Sequence, residues 1–229
     1  MNEFFITIVV ICSTVIIFKL AQLLYKKYPT PLLLPVTVAT VVIIALLVLC
    51  NISYNTFMIG GKWIDLLLGP AVVALAYPLY ENRHILKELA LPLLTGTFIG
   101  ACIGIMTGIL FATFITEDEQ LLYAIVAKSV TTPVAMDITI TLGGVDTLAA
   151  VFVMIAGMSG TMLSTYVYRL FHLKTTIGRG VGIGSASHVI GTTKAMEHSL
   201  LEGSISTIAM ILSALFVSIL APLFVFLLI

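Results

Sequence analysis

The chain has 229 residues, 60% of them hydrophobic and only 10% charged, and its 11 basic and 11 acidic side chains leave a formal net charge of zero. With a mean hydropathy of +1.17 it carries several apolar runs of the roughly 20 residues that cross a bilayer as helix, which reads as an all-α polytopic membrane protein. The neutral balance without a basic run gives no reason to invoke nucleic acid.

In chain order, the apolar runs predict about six full transmembrane helices, over 4–24, 32–50, 63–80, 89–115, 145–170 and 204–228. Two less apolar stretches, 119–142 and 179–200, lie between the later ones. The first run, FFITIVVICSTVIIF, follows a glutamate and precedes no small-residue cleavage site, so it is expected to stay attached rather than be removed as a signal. Gly69-Pro70 and Pro78 predict a kinked third span, with Trp63 and Asp65 at its outer interface. Thr95, Gly96, Gly100, Gly104 and Gly108 recur along one face of the fourth span, a small-residue face for close helix contact within the protomer or in a homo-oligomer. Cys12, Cys50 and Cys102 sit inside apolar runs without a CxxC or a histidine neighbour, and read as fillers rather than as disulfides or metal ligands.

Charge then orients the chain. Lys26 and Lys27 follow the first span, Arg83 and Lys87 the third, and the acidic Thr116-Glu117-Asp118-Glu119 the fourth, so an outside N-terminus satisfies the positive-inside rule that far. Arg169, Lys174 and Arg179 come next and fall inside only if 119–142 dips in and returns to the same face; a broken helix that crosses fully is the alternative. By the same count 179–200 is a second re-entrant element, entering from the cytoplasmic side. The expectation is one integral membrane domain, 1–229, with scaffold helices in 1–115 and two motif-bearing repeats in 116–229, about 119–170 and 179–228. The repeats share a TT, an AM and a carboxylate, in Thr131-Thr132-Pro133-Val134-Ala135-Met136-Asp137 and in Thr192-Thr193-Lys194-Ala195-Met196-Glu197. Entering from opposite faces, they form the inverted arrangement of secondary transporters, whose sites lie where helices are interrupted near the midplane.

Thr132-Pro133 is a helix-start pair: Thr132 as N-cap and Pro133 at the first helical position, where no hydrogen bond is lost. A half-helix N-terminus inside the membrane is an anion site, because its free N–H groups and the positive end of its dipole both favour negative charge. Lys128, one turn earlier, is a buried ammonium that needs a partner. That partner is either an anionic ligand or, structurally, Asp137 or Glu202. Asp137 is also a candidate for proton coupling. The second stretch, GIGSASHVIGTTKAMEHS, offers Ser187, His188, Gly191, Thr192 and Lys194, with His188 the best titratable candidate; a hydrogen-bonded core histidine is the competing reading. His84, His172 and His198 sit near loop ends without metal-binding spacing, and no nucleophile, base and orienter are assembled, so neither a metal, a cofactor nor an enzyme is expected.

KSVTTPVAM (128–136) with LGG (142–144), then GIGSASHVIGTTKAME (182–197) and EGSISTIAM (202–210), together resemble the LrgB/CidB family of bacterial membrane proteins, the CidB branch most closely. The resemblance covers the chain from about residue 10 to its end. One departure is Val189, where the family's usual SHGIGT has glycine. The resemblance implies a multi-pass protein of the bacterial plasma membrane with a holin-like or antiholin-like role. It further implies a small LrgA/CidA-like membrane partner and control of murein hydrolase activity, autolysis and programmed cell death. It equally implies transport of small monocarboxylates, since plastid relatives carry glycolate and glycerate and bacterial pairs move pyruvate. By the family's motif, Lys128, Thr131, Thr132 and Pro133 with Ser187, His188, Gly191, Thr192 and Glu202 form the permeation site. Of the two, selective transport is the expectation, because a hole-forming protein has little need of two TT-marked helix breaks with a buried lysine and histidine. An oligomeric pore and a regulator of autolysis remain alongside it.

Overall fold

A computed structural model of the chain describes residues 3–30, 33–74 and 76–228; residue 32 of the expected second run and residue 75 of the third lie outside them. In hydrocarbon the backbone has only itself to bond with, so long apolar runs wind into helix, and the described residues contain helices without a strand. Five stretches are long and apolar enough to cross a membrane, Glu3–Lys27, Tyr54–Glu81, Ala90–Ile115, Asp146–Leu170 and Leu200–Leu228, beside the shorter Pro35–Leu49.

The chain divides into two compact units, Met1–Ala71 and Val72–Ile229. In the first, α1 (Glu3–Lys27) packs on α2 (Pro35–Leu49) and α3 (Tyr54–Asp65). Gly60 makes the α1–α3 approach close, since a Cβ there would lie 2.6 Å from Val10 Cβ. The Thr56 N–H donates to Ser53 Oγ at 3.2 Å and caps α3. That cap starts the third span nine residues before the expected 63, so Trp63 and Asp65 fall within it and not at its outer edge. Helix is lost at Leu66-Leu67 and resumes as α4 (Leu68–Ala74), with Pro70 in a first turn that has no hydrogen bond to forfeit. Pro78 lies in α5 (Ala76–Glu81), which α6 (Arg83–Glu88) follows. The break expected around Gly69-Pro70 is therefore found just before that pair.

The second unit is built on three long helices, α7 (Ala90–Ile115), α10 (Asp146–Leu170) and α12 (Leu200–Leu228). Between them lie α8 (Glu119–Val126), α9 (Thr132–Thr141) and α11 (Thr176–His198). α8 and α9 form a helical hairpin, because a Cβ on Gly144, just past α9, would lie 2.9 Å from Tyr123 Cβ and 3.3 Å from the Gln120 carbonyl in the first turns of α8. α11 is a second hairpin: its backbone leaves helical geometry at His188, φ 40°, ψ −131°. Gly184 abuts the Ser206 carbonyl and Thr192 Oγ1 lies 2.8 Å from Ser206 Oγ. Eight residues of straight helix would hold those two about 12 Å apart. Chain order puts the mouth of the first hairpin at the start of α10 and that of the second at its end. Both stretches fold back on themselves, the re-entrant form that the charges favoured. The TT pairs are offset by about a turn, since Thr131 is at the first break whereas Thr192 is four residues beyond His188.

Small residues let these elements close up. Val126, Ala127, Val130 and Ala135 of the first hairpin are buried among Ala101, Ile105 and Ile109 of α7, Ala149 and Val153 of α10, and Val217 and Ala221 of α12. Leu93, Val181, Ile205 and Ile208 form a second cluster, to which Ile85 of α6 and Ile177 of α11 add. That cluster brings the basic α6 residues Arg83 and Lys87 to the same end as the start of α11.

Candidate functional site

The first hairpin turns where α8 runs out. The Lys128 N–H still reaches the Ile125 carbonyl and that of Val130 the Ala127 carbonyl, after which Thr131 becomes extended at φ −65°, ψ 145°. Thr131 is thus the N-cap of α9, one residue before the expected Thr132, with Thr132 and Pro133 opening the helix. Its Oγ1 is buried and has no hydrogen-bond partner among the described residues, so the first turn of α9 is not capped by a side chain. By helix geometry the Thr132 and Val134 N–H groups have no acceptor within α9. Lys128 Nζ donates to the Gly104 carbonyl at 2.9 Å. The carboxylate pairings weighed for it are not the ones formed: Asp137 is exposed on α9, in a separate groove of about 310 Å³ with Thr141, Ser218 and Pro222, and Glu202 bonds His198 Nδ1 at 3.0 Å.

The second hairpin turns at His188, a non-glycine residue in the left-handed half of the map; such strain costs about 1–3 kcal/mol and is concentrated at functional positions. The strained residue is His188 itself, so the departure at Val189 lies just past the turn. His188 Nε2 sits 3.1 Å from the Val153 carbonyl, which only accepts. Nε2 therefore carries a hydrogen and donates to that carbonyl. A Cβ on Gly157 would lie 2.6 Å from His188 Cε1, and one on Gly160 would collide with Ser187 Oγ. Ser187 is 1% exposed and its Oγ has no partner among the described residues. Gly191 of the return arm seats on Ile183 and Ser187.

Both hairpins rest on the same face of α7, the first by its turn and the second by its inward arm. A Cβ would lie 2.8 Å from Lys128 Nζ at Gly108, 3.2 Å from Ser129 Oγ at Gly104, 3.4 Å from Ser185 Oγ at Gly100 and 3.0 Å from Val181 Cγ1 at Gly96. One glycine stripe thus carries the first hairpin on its later half and the second on its earlier half. Ser129 and Ser185 are met one turn apart, about 6 Å along the axis. Sequence reasoning found the stripe and assigned it to helix packing; that it seats both hairpins follows only from the fold. It also missed Ser129, Ser206, Gly157 and Gly160, of which the two glycines had a signal in the small-residue spacing of α10.

Lys194 and Glu202 belong elsewhere. Lys194 pairs with Glu197 at 3.1 Å, and both Lys194 and Glu202 line a cavity of about 520 Å³ beside the second hairpin's mouth. Among the described residues no group of His, Cys, Asp and Glu is arranged to hold a metal.

The chain matches the LrgB-like family over residues 14–227. It is 44% identical over 227 residues, 99% of both chains, to the uncharacterized protein YxaC of Bacillus subtilis. It is 34% identical over 227 residues, again 99% of both, to the holin-like protein CidB of Staphylococcus aureus. To the uncharacterized protein YwbG of Bacillus subtilis it is 36% identical over 218 residues, 95% of this chain and 97% of the other. No solved structure matches it. With near-complete coverage of such relatives and apolar helices throughout, the chain belongs to the LrgB-like family of multi-pass bacterial membrane proteins.

Proposed function

We propose that the protein carries small monocarboxylates, pyruvate, lactate or glycolate in kind, across the bacterial plasma membrane, and that the two hairpin tips hold the anion between them. The observation that carries this reading is the meeting of both hairpins on the glycine face of α7, with Thr131 Oγ1 and Ser187 Oγ at their turns buried and unpartnered among the described residues. Buried hydroxyls without partners are costly unless something binds them. The uncapped start of α9 and the Lys128 ammonium supply the positive field for a carboxylate. Ser187 and the His188 ring suit its neighbouring keto or hydroxyl oxygen. Thr192 acts one step back through its bond to Ser206. Alternating access then moves the hairpins against α7, as inverted-repeat carriers do.

A holin-like reading has its own support, the name carried by the staphylococcal relatives. On that reading the protein forms a pore or regulates autolysis with a small LrgA/CidA-like membrane partner. Carboxylate flux and lysis are compatible, the second following from the first.

The deciding experiment is uptake of labelled pyruvate, lactate and glycolate into proteoliposomes, with and without the small partner, beside Lys128→Ala. Removing the ammonium is expected to lower uptake at least tenfold, about 1.4 kcal/mol or more of lost anion stabilisation. Equal leakage of all three acids and of a dye through both proteins would replace the carrier with a pore.

A further inference from the structure

The second hairpin's mouth opens on the basic cavity of about 520 Å³ introduced above. Four elements contribute: Arg169 from the end of α10, Lys174 from the following loop, Arg179 from the inward arm of α11 and Lys194 from its return arm. Two of the cations are already held. Lys194 is on Glu197, and Arg179 donates from Nε to the Leu173 carbonyl at 2.8 Å while its guanidinium lies 5.4 Å from the Tyr168 ring centre. These contacts fix Arg179 without neutralising it. Arg169 and Lys174 are exposed and make no ion pair among the described residues. Glu202, the one carboxylate lining the cavity, is tied to His198.

The cavity also runs inward. Ser164 and Ile183 line it, and each stands one helical turn from a tip contact: Ser164 from Gly160, Ile183 from Ser187. Ile183 in turn packs on Gly191, so the floor of the cavity is the seam between the two arms of the hairpin. The first hairpin's mouth has the opposite sign, with Glu117, Asp118, Glu119 and Asp146 around it and no Lys or Arg between 116 and 146 except Lys128 at the tip.

We infer that this basic cavity is the anion-gathering vestibule of the carrier, through which a small carboxylate reaches the Ser187-His188 turn, with Arg169, Lys174 and Arg179 setting the capture rate. The inference rests on the carrier reading above. Like-signed charge lining a low-dielectric cleft focuses the field and raises the local concentration of the opposite ion, an effect that salt removes. Arg169 and Lys174 touch no group of the tip, so they act on capture and not on the holding of the anion.

The test is the half-saturation of labelled pyruvate uptake from the vestibule side of oriented proteoliposomes, at low and at high salt. R169Q/K174Q is expected to raise half-saturation by about tenfold at low ionic strength, within the range that electrostatic focusing supplies, with a smaller change in maximal rate. The charge reversal R169E/K174E raises it further. Both differences shrink towards nothing near 1 M salt, where the Debye length is about 3 Å. Lys87→Gln, a cation that does not line the cavity, serves as the reference. Half-saturation that is unchanged in both variants, with the same salt dependence as wild type, overturns the vestibule alone. Absence of saturable uptake in the wild type overturns the carrier reading and the vestibule with it.

Discussion

At the scale of single residues, the site is made chiefly by what glycine leaves out. Gly184 lies against the Ser206 backbone, which cannot swing aside as a side chain can, and Gly160 lies against the buried Ser187. Alanine at either position is expected to lower the detergent-solubilised melting temperature, by the equivalent of about 1–3 kcal/mol of overpacking. Gly182 has nothing within 4 Å of where a Cβ would be. Gly182→Ala should therefore raise the melting temperature slightly, by up to about 1 kcal/mol of helix propensity. Gly182 and Gly184 belong to one motif, and only the fold separates their signs. His188 gives a second inversion: at φ 40° a β-branched residue is strained and glycine is not. His188→Gly should unfold at a higher temperature than His188→Val, the reverse of the order found at an ordinary helical site.

At the scale of elements, each hairpin opens and closes on one face. With the native cysteines replaced, single cysteines at exposed Gln120 and Thr141 should react with an impermeant thiol reagent from one side of the membrane, and those at exposed Lys174 and His198 from the other. Labelling of Gln120 and Thr141 from opposite sides would mean that the 119–142 stretch crosses. The break was legible beforehand, because Thr-Pro after a lysine in an apolar run marks one, and the basic residues at 169, 174 and 179 favoured a return to the same face over a crossing. What was hidden is instructive. Nothing local marks His188 as the turn, since the surrounding glycines at 182, 184 and 191 advertise turns they do not make; Gly184 serves close packing on α12 and Gly191 between the arms, while Gly182 faces open space. Nor does sequence separation show that Lys128 would find the Gly104 carbonyl in place of a carboxylate. A partner 24 residues away is chosen by topology.

At the scale of the whole molecule, the carrier reading requires at least one hairpin to move against α7. Cβ atoms built on Gly104 and Gly100 would each lie 3.6 Å from the Cβ of Ser129 and Ser185 respectively, within the range of about 3.5–4.5 Å that a disulfide spans. With Cys102 replaced, Gly104→Cys/Ser129→Cys and Gly100→Cys/Ser185→Cys should each cross-link under oxidant. The cross-linked carrier should lose uptake, and a reductant should restore it. Full uptake with a complete cross-link would mean that α7 travels with that hairpin. The fold class and the fold-back of both polar stretches could be read from hydropathy and charge; the common seat of both hairpins could not, since it joins residues 96–108 to 128–129 and 181–185.

The bare face of α7 has a thermodynamic consequence. When a tip settles on glycine, the receiving helix freezes no rotamers, because it has none there to lose. Docking and release therefore proceed with little entropic toll on the α7 side, and the docked arrangement is held by shape and by a few polar contacts such as Lys128 on Gly104. On the carrier reading, docked and released arrangements would exchange readily, and one added methyl group at Gly100 or Gly104 would tilt the ratio between them rather than dismantle the fold.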